Sequence, residues 1–359
     1  MIKVSQPYVN APEIQAAADV LLSGNYVQGE KVREFEQEFA KYIGTRTAVA
    51  VNSGTAALQL ALTGTCDHEV IVPPLTFFAT IEAVLWAGAT PVFADIDPET
   101  WLLDPSDVER KATSDTIAIV PVHLYGNVCE MDRLKNPNFV VVEDACQAHG
   151  STYRGRRAGC LGDYGCFSFY ATKNMTTIEG GMITTSYDDI GLRMMRNHGM
   201  SDRHTHKCLG HNFRMNEMQA AIGLTQLQRL EQMNHRRIVN STYLRSALKY
   251  SEWLTPQKIH PHVESTFFCC SFLVDEEYIG MTTAELVAEL RKRGLEVRYR
   301  YTEPLYRQPA LEPFENYRHV WLENAEKICG KIIGLPNHPM LSEAELKEIV
   351  NILHRKLFK

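Results

Sequence analysis

Short apolar segments that suit β-strands alternate with helical stretches through the first two thirds of the chain. Helical segments such as Ala56–Leu62 and Thr80–Trp86 separate these runs. This alternation is typical of a mostly parallel sheet covered by helices on both faces. We therefore expect an α/β fold, with strands at Thr47–Val51, Glu69–Val72, Pro91–Ala94, Ile117–Val122, Phe139–Val142, Cys166–Tyr170 and Gly181–Thr185.

The last third of the chain has a different pattern. Apolar residues at helical spacing predict one long helix from Asn216 to about Leu248. A strand at Thr266–Val274, an amphipathic helix at Thr282–Arg293 and a strand at Leu295–Tyr301 are predicted to follow. The 359 residues fit two domains. We predict a large domain at residues 1–237 and a smaller α+β domain at residues 238–359.

Charge and composition exclude several classes of protein. The net charge is −6, and no block of lysine and arginine stands out, so neither a nucleic-acid partner nor a membrane-surface role is expected. No basic segment leads into an apolar stretch, and no apolar run approaches the roughly 20 residues that span a bilayer. The nine cysteines are scattered without a C-x-x-C pair, which predicts reduced thiols and a cytoplasmic location.

A short polar segment, Asn52-Ser53-Gly54-Thr55-Ala56-Ala57-Leu58, follows the first predicted strand and opens a helix. Asn, Ser and Thr suit a helix N-cap, and Gly54 allows a tight turn. Free N–H groups at such a helix start can bind a phosphate, although an ordinary capped helix shows the same pattern. The segment has neither the dinucleotide nor the P-loop signature.

Two later motifs carry an acid and a lysine. The strand Phe139–Val142 runs into Glu143 and Asp144, and adjacent strand residues point to opposite faces, so the two acids should not share a role. Lys173 lies a few residues past the strand at Cys166–Tyr170. A desolvated lysine is a nucleophile toward aldehydes. Taken singly, a solvated acid and a surface lysine are the plainer interpretations.

The three motifs together, in this order, resemble the fold-type-I pyridoxal-phosphate (PLP) enzymes. More narrowly, the chain resembles the DegT/DnrJ/EryC1/StrS family of sugar aminotransferases over nearly its whole length. The resemblance is carried by the segments at 25–29, 52–58, 73–77, 88–92, 143–147, 167–174, 179–182 and 212–215.

The resemblance implies a role for each matching residue. Lys173 would carry PLP as a Schiff base and act as general base, with pyridoxamine phosphate as intermediate. Asp144 would hold the pyridine nitrogen protonated, and Phe77 would stack on the ring. Gln147 would lie near the phenolic oxygen of the ring. The phosphate would be bound by Gly54, Thr55, Ala56 and Ser168.

The family also implies a partner subunit. In it, the cofactor phosphate is reached by a residue of the partner's Asn-x-Arg-Met segment, which here is Asn212-Phe213-Arg214-Met215. Asn212 is the first candidate and Arg214 the second, so the active site would require a homodimer. One departure concerns Tyr306, which stands where the family often has His. Tyr299, Tyr301, Tyr306 and Arg298 could contact the substrate or pack a domain interface.

The implied reaction moves an amino group from an amino acid, by family habit glutamate, to a nucleotide-linked keto sugar. The segment Met175–Gly181 looks more like the branch that acts on 4-keto-6-deoxyhexoses than like the 3-keto branch. Aminotransferases acting on cyclitols or aminobenzoate precursors remain alternatives. A sugar dehydratase of the same family is another alternative, although those enzymes carry His in place of Lys173.

A zinc-binding or regulatory protein is an alternative from another class. His198, His204, His206, Cys208 and His211 lie close together and are possible metal ligands. Their spacing matches no structural zinc pattern, and polar loops collect histidines by chance. We therefore expect no metal site.

Overall fold

A computed structural model describes residues 1–354. In chain order, the strands of this part are β1 Thr47–Val51, β2 Glu69–Val72, β3 Thr90–Phe93, β4 Thr116–Ile119, β5 Val140–Asp144, β6 Thr152–Tyr153, β7 Arg156–Arg157, β8 Tyr164–Ser168, β9 Gly181–Thr185, β10 Leu254–Pro256, β11 Val263–Glu264, β12 Cys270–Val274, β13 Arg298–Tyr299 and β14 Ile332–Leu335.

The α-helices of the same residues are α1 Ala11–Ser23, α2 Glu30–Ile43, α3 Gly54–Ala61, α4 Ala79–Trp86, α5 Pro105–Lys111, α6 Met131–Leu134, α7 Ile190–Arg196, α8 Glu217–Ala247, α9 Glu276–Ile279, α10 Thr283–Lys292, α11 Glu323–Ile328 and α12 Glu343–His354. Short 3₁₀ turns occur at Leu124–Gly126, Leu305–Arg307, Pro309–Leu311 and Glu315–Tyr317. No helix of residues 1–354 is long and apolar enough to cross a membrane.

The main sheet has seven strands in the order β1-β9-β8-β5-β4-β2-β3. The pairs β2–β3, β2–β4, β4–β5 and β5–β8 are parallel, and β9 runs antiparallel to both of its neighbours. The predicted α/β class with a mostly parallel sheet is confirmed. One face of the sheet packs against a buried cluster that contains Phe35 and Phe39 of α2. The other face packs against a separate cluster that contains Leu58 of α3 and Ile81 of α4, so helices cover both faces.

A second sheet of four strands, β10-β12-β14-β13, lies in the C-terminal part. Its core includes Phe272, Leu286 and Ile349. The first residues of the chain also join this unit, because Ile2 pairs with Leu295 and packs in the same core. A small three-stranded sheet, β11-β6-β7, completes the strands.

Helix α8 links the two main sheets. Asn216 caps its N-terminus through a reciprocal capping box with Gln219, and the helix runs unbroken to Ala247, which confirms the predicted long helix. Its early part packs on α1 and α2, whereas Leu244 lies in the core of the second sheet. The predicted domain division at residues 237/238 falls inside this helix and stays a prediction.

Candidate active site

Asp144 ends the central strand β5 at the carboxyl edge of the main sheet. Its side chain is 6% exposed and accepts a hydrogen bond from Thr80 Oγ1 at 2.8 Å and from the Cys146 N–H at 3.2 Å. Thr80 in turn lies 3.2 Å from the hydroxyl of Thr76. The first turn of α4 therefore fixes the direction of the Asp144 carboxylate.

Glu143 points to the other face of the sheet, as strand alternation predicts. It is fully buried and accepts N–H bonds from Gly159, Leu161 and Gly162, together with a bond of 2.9 Å to His123 Nε2. Because these four partners use its carboxylate, Glu143 holds the loop before β8 in place. Neither acid is a solvated strand end, so the plainer interpretation of this motif is wrong.

Helix α3 begins at Gly54 beside the ends of β5 and β8. Ser53 caps the helix by accepting from the Ala56 N–H at 3.1 Å. A Cβ atom on Gly54 would lie 2.7 Å from Ser168 Cβ and 3.0 Å from Cys146 Sγ. Only glycine lets the helix start come so close to the end of β8, and the first N–H groups of a helix are available to bind an anion. Thr55 follows at the second helical position, as predicted for a phosphate-binding loop.

Lys173 lies in the turn after β8, where its N–H donates to the Tyr170 carbonyl at 3.0 Å. Its Nζ lies 5.0 Å from the centre of the Phe268 ring. Burial lowers the pKa of Lys173, the charges of Arg298 and Arg300 lower it further, and Cys146 and Asp144 oppose the shift. A fraction of the amine is thus neutral at lower pH than for an ordinary lysine.

Gln147 joins this site to residues that are distant in sequence. Its Oε1 accepts from the Tyr125 N–H at 3.1 Å, and its Nε2 donates to the Tyr301 hydroxyl at 3.1 Å. The two tyrosine rings lie 6.1 Å apart. Both residues have left-handed backbone with φ near 60°, a strained conformation that is concentrated at functional sites.

Phe77 lies two residues before the start of α4 and is 55% exposed. Its carbonyl accepts from the N–H of Thr80, the residue whose hydroxyl holds Asp144. An exposed aromatic side chain suits a planar ring as ligand, because the ring would cover the aromatic face.

Asn212 and Arg214 lie beside the edge strand β1. The Asn212 carbonyl accepts from Asn52 Nδ2 at 3.3 Å, and Arg214 Nη1 donates to Asn197 Oδ1 at 2.6 Å. The Asn212 side chain is exposed, so it is free to contact a second subunit. That contact stays a prediction.

Tyr306 lies in the core of the main domain, packed edge-on against Phe93. Its hydroxyl donates to Glu326 at 2.8 Å and accepts from the Leu322 N–H at 3.2 Å. These bonds connect the 3₁₀ turn Leu305–Arg307 to α11 and to the residue that precedes it. The substitution of Tyr for the family's usual His is thus accommodated inside the protein, and a substrate contact by Tyr306 stays a prediction.

The histidine-rich loop shows no metal-ligand geometry. Within residues 1–354, no three His, Cys, Asp or Glu side chains are placed to hold a metal ion. His206 Nδ1 is bonded to the His198 carbonyl at 2.7 Å, and His211 stacks on Phe213 with ring centres 4.4 Å apart. The loop geometry therefore gives the zinc-binding alternative no support.

Four residues of this region were missed by the motifs: Thr80, Tyr125, His149 and Phe268. His149 is 1% exposed, lies between Phe167 and Phe169, and neither ring nitrogen has a hydrogen-bond partner among the described residues. Burial, with a contribution from the Lys173 charge, lowers the pKa of His149 to about 3. The sequence signal for Thr80 was its place in the first turn of a helix that follows Phe77.

The assembled residues fit PLP, the cofactor that the resemblance implies. Gly54 lets the start of α3 lie against Ser168 and Cys146, which brings free helix N–H groups to the site for a phosphate, and Asp144 offers a buried carboxylate to a cationic ring nitrogen. Phe77 offers an open aromatic face, and Lys173 offers a desolvated amine. Each of these matches one chemical group of the cofactor.

Comparison with known proteins gives consistent matches. The model of the DegT/DnrJ/EryC1/StrS aminotransferase family matches residues 7–354. The GDP-perosamine synthase of Caulobacter vibrioides is 38% identical, over 92% of this chain and 91% of that protein. The dTDP-3-amino-3,4,6-trideoxy-alpha-D-glucose transaminase of Streptomyces venezuelae is 34% identical, over 98% and 93%. The crystal structure of DesV from S. venezuelae superposes with a TM-score of 0.91 at 34% identity, covering 97% of this chain and 95% of that chain.

Proposed function

Because the chain belongs to the DegT/DnrJ/EryC1/StrS aminotransferase family, we propose that it transfers an amino group from glutamate to a nucleotide-linked 4-keto-6-deoxyhexose. It is a PLP-dependent aminotransferase of the fold-type-I class. The resemblance that its motifs indicated is thereby confirmed, and so are the enzyme class and the cofactor. The keto sugar, its nucleotide and the amino donor form the proposed part.

One observation carries the proposal: Lys173, Asp144 and the start of α3 converge at the carboxyl edge of one sheet. Three motifs far apart in the sequence meet because β1, β5 and β8 all end there. Ligands of open α/β sheets bind at this edge. When bound, PLP supplies an aldehyde and a ring that accepts electrons.

Each residue has a separate task in this proposal. With PLP bound, the Lys173 amine would act as the general base that takes the proton from the α-carbon of the donor, and such help contributes about 10²–10⁴-fold. The Asp144 carboxylate would stabilise a positive charge on the ring nitrogen. Thr80 and the Cys146 N–H hold that carboxylate in one orientation, and Gln147, bonded to Tyr301, would lie near the ring.

The position of the keto group is tested directly with paired substrates. Purified enzyme with glutamate is offered a 4-keto and a 3-keto nucleotide sugar, and the products are assigned by NMR. The segment at 175–181 and the similarity to a GDP-perosamine synthase support amination at C4. The similarity to a 3-amino-sugar transaminase is the reason to assay the 3-keto substrate beside the 4-keto substrate. Exclusive amination at C3 would replace the 4-keto assignment.

We also propose that two copies form a homodimer with shared active sites. Helix α1 presents Ile14, Leu21 and Leu22 to the surface, and Val27 follows it, each more than half exposed. Grouped apolar residues of this kind mark protein interfaces. The exposed Asn212 on the neighbouring segment is the residue expected to reach the partner's cofactor phosphate.

A mixed dimer tests whether Asn212 acts across the interface. Lys173→Ala and Asn212→Ala subunits are co-expressed with different tags, and the hybrid is purified. If Asn212 serves the partner, one of the two sites in the hybrid has both residues intact, and activity returns to about half that of the native dimer. If Asn212 serves its own chain, neither site is complete and the hybrid stays as impaired as its parents.

A further inference from the structure

Arg298, which lies beside Lys173, and Arg237, which lies near Arg298, both lack a carboxylate partner among the described residues. The Arg298 guanidinium carbon lies 4.3 Å from the centre of the Phe268 ring, and Lys173 Nζ lies over the same ring. Arg237 is close enough to Arg298 to be affected by its charge. In the described part of the chain, the ion pairs of arginine involve other side chains, and neither Arg298 nor Arg237 takes part in one.

Arg237 is a buried cation without a negatively charged partner among the described residues. It is 5% exposed, and its Nε has no acceptor among the described residues. Its Nη1 donates one long hydrogen bond, of 3.5 Å, to Asn337 Oδ1. Burial and the Arg298 charge lower the pKa of Arg237 to about 10, so the side chain remains a cation at neutral pH. Buried cations without a counter-ion are strongly unfavourable. An anion from outside the chain would relieve this cost.

The cofactor phosphate is not that anion. The phosphate-binding start of α3 contacts Ser168 and Cys146. Arg298 instead adjoins the group formed by Tyr301 and Gln147, since its charge acts on the Tyr301 hydroxyl, which Gln147 contacts. Arg298 therefore lies on the Tyr301 side of Lys173, away from the start of α3.

We propose that Arg298, with Arg237 behind it, binds the α-carboxylate of the amino-acid donor. In an α-amino acid, the carboxylate is attached to the carbon that bears the reacting amino group, so its receptor must lie next to Lys173. Arg298 meets this condition because the two cations share the Phe268 ring. A guanidinium also matches the bidentate geometry of a carboxylate.

The diphosphate of a nucleotide sugar fits this position less well. It is joined to the sugar at C1, across the ring from a C4 keto group, so it would lie away from the lysine while the keto carbon reacts. This inference rests on the proposed function in taking an amino acid as donor and, for the comparison with the diphosphate, a keto group at C4. The two can therefore fail separately.

The test separates the two half-reactions in the holoenzyme. Glutamate alone is mixed with enzyme carrying PLP, and the loss of the cofactor's visible absorbance is followed at several glutamate concentrations. The concentration at which this loss is half-saturated gives the dissociation constant for glutamate. For Arg298→Gln, we expect the dissociation constant for glutamate to rise roughly 10- to 100-fold. The rise should be smaller for Arg298→Lys, which keeps the positive charge but loses the two parallel N–H donors of the guanidinium. Titration with glutarate, a dicarboxylate that cannot react, should show the same order by calorimetry.

Arg245 provides a matched control. Its guanidinium carbon lies 5.7 Å from the neighbouring Phe267 ring, and Nη1 donates to the Gln257 carbonyl at 2.9 Å. Arg245→Gln should leave both dissociation constants within about twofold. Unchanged glutamate and glutarate binding in Arg298→Gln would overturn the proposal, and so would a loss confined to the nucleotide sugar. If glutamate reacts but no keto sugar is accepted, the proposed function fails and the carboxylate site stands.

Discussion

Thr80 Oγ1 donates a 2.8 Å hydrogen bond to Asp144 Oδ2, and both side chains are buried. The bond joins the first turn of α4 to the end of β5. It leaves the other carboxylate oxygen to accept from the Cys146 N–H. The orientation of the Asp144 carboxylate thus depends on a neutral hydroxyl from a neighbouring helix.

Removing that hydroxyl should slow the reaction without emptying the site. For Thr80→Val, we expect kcat to fall about 10- to 100-fold, because a hydrogen bond to a charged group is worth about 1.5–3 kcal/mol. Thr80→Ser keeps the donor and should stay within about threefold. Steady-state kinetics at saturating PLP measures both. Equal losses in the two variants would contradict a specific role for the hydroxyl, and a loss confined to Thr80→Ser would show that the methyl group matters instead.

A methyl group at Gly54 should weaken cofactor binding. Its Cβ would overlap Ser168 Cβ at 2.7 Å, forcing the start of α3 away from β8. Overpacking of this kind costs about 1–3 kcal/mol, so Gly54→Ala should raise the PLP dissociation constant and lower Tm. Gly191→Ala in α7 is the control, since nothing lies within 4 Å of its added Cβ. A Gly54→Ala protein that binds PLP normally would contradict the phosphate role of this turn.

The pH dependence of cofactor loading should report the environment of Lys173. Burial and the nearby Arg298 charge lower the pKa of Lys173 below 10.5, so the rate of PLP incorporation into cofactor-free enzyme should rise to its plateau below that pH. Removing a neighbouring positive charge favours the protonated amine, so Arg298→Gln should move the midpoint upward. Arg33→Gln, on the exposed surface of α2, should leave it in place. A downward shift in Arg298→Gln would contradict this arrangement.

Acid should destabilise the protein through His149. The unfolded side chain takes up a proton near pH 6.5, whereas burial delays this in the folded protein to about pH 3. The unfolded state therefore binds more protons between these values, and stability falls as pH falls. Between about pH 7.5 and pH 5, this group should cost about 2 kcal/mol. Denaturant unfolding of wild type and His149→Phe at both pH values checks this prediction. Between the two pH values, the free energy of unfolding of the variant should fall by about 2 kcal/mol less than that of the wild type. Equal falls would exclude His149 as the cause.

The strands could be predicted where the apolar runs are clear. β1, β2 and β9 begin and end at the predicted residues, because each run is bounded by polar or turn residues. Helices α1 and α2 were not predicted, although Asn10 and Glu13 form a capping box. The predicted strand at Leu295–Tyr301 shortens to Arg298–Tyr299, since Leu295 instead pairs with Ile2.

The site could be predicted only where family motifs mark it. Asp144, Lys173 and Gly54 stand in recognisable segments, and the structure brings them to one sheet edge. Tyr125 and Phe268 carry no local signal, because they reach the site through packing between distant parts of the chain. Arg298 was named from the sequence only as a possible substrate or interface contact, because the lack of a carboxylate partner among the described residues becomes visible only in the folded protein.

The lysine that carries the cofactor can be located directly. The holoenzyme is reduced with borohydride, which makes the covalent link permanent, and its peptides are sequenced by mass spectrometry. We expect a pyridoxyl group on Lys173, and no labelled peptide from Lys173→Ala. A pyridoxyl group on another lysine of the native enzyme would contradict this expectation.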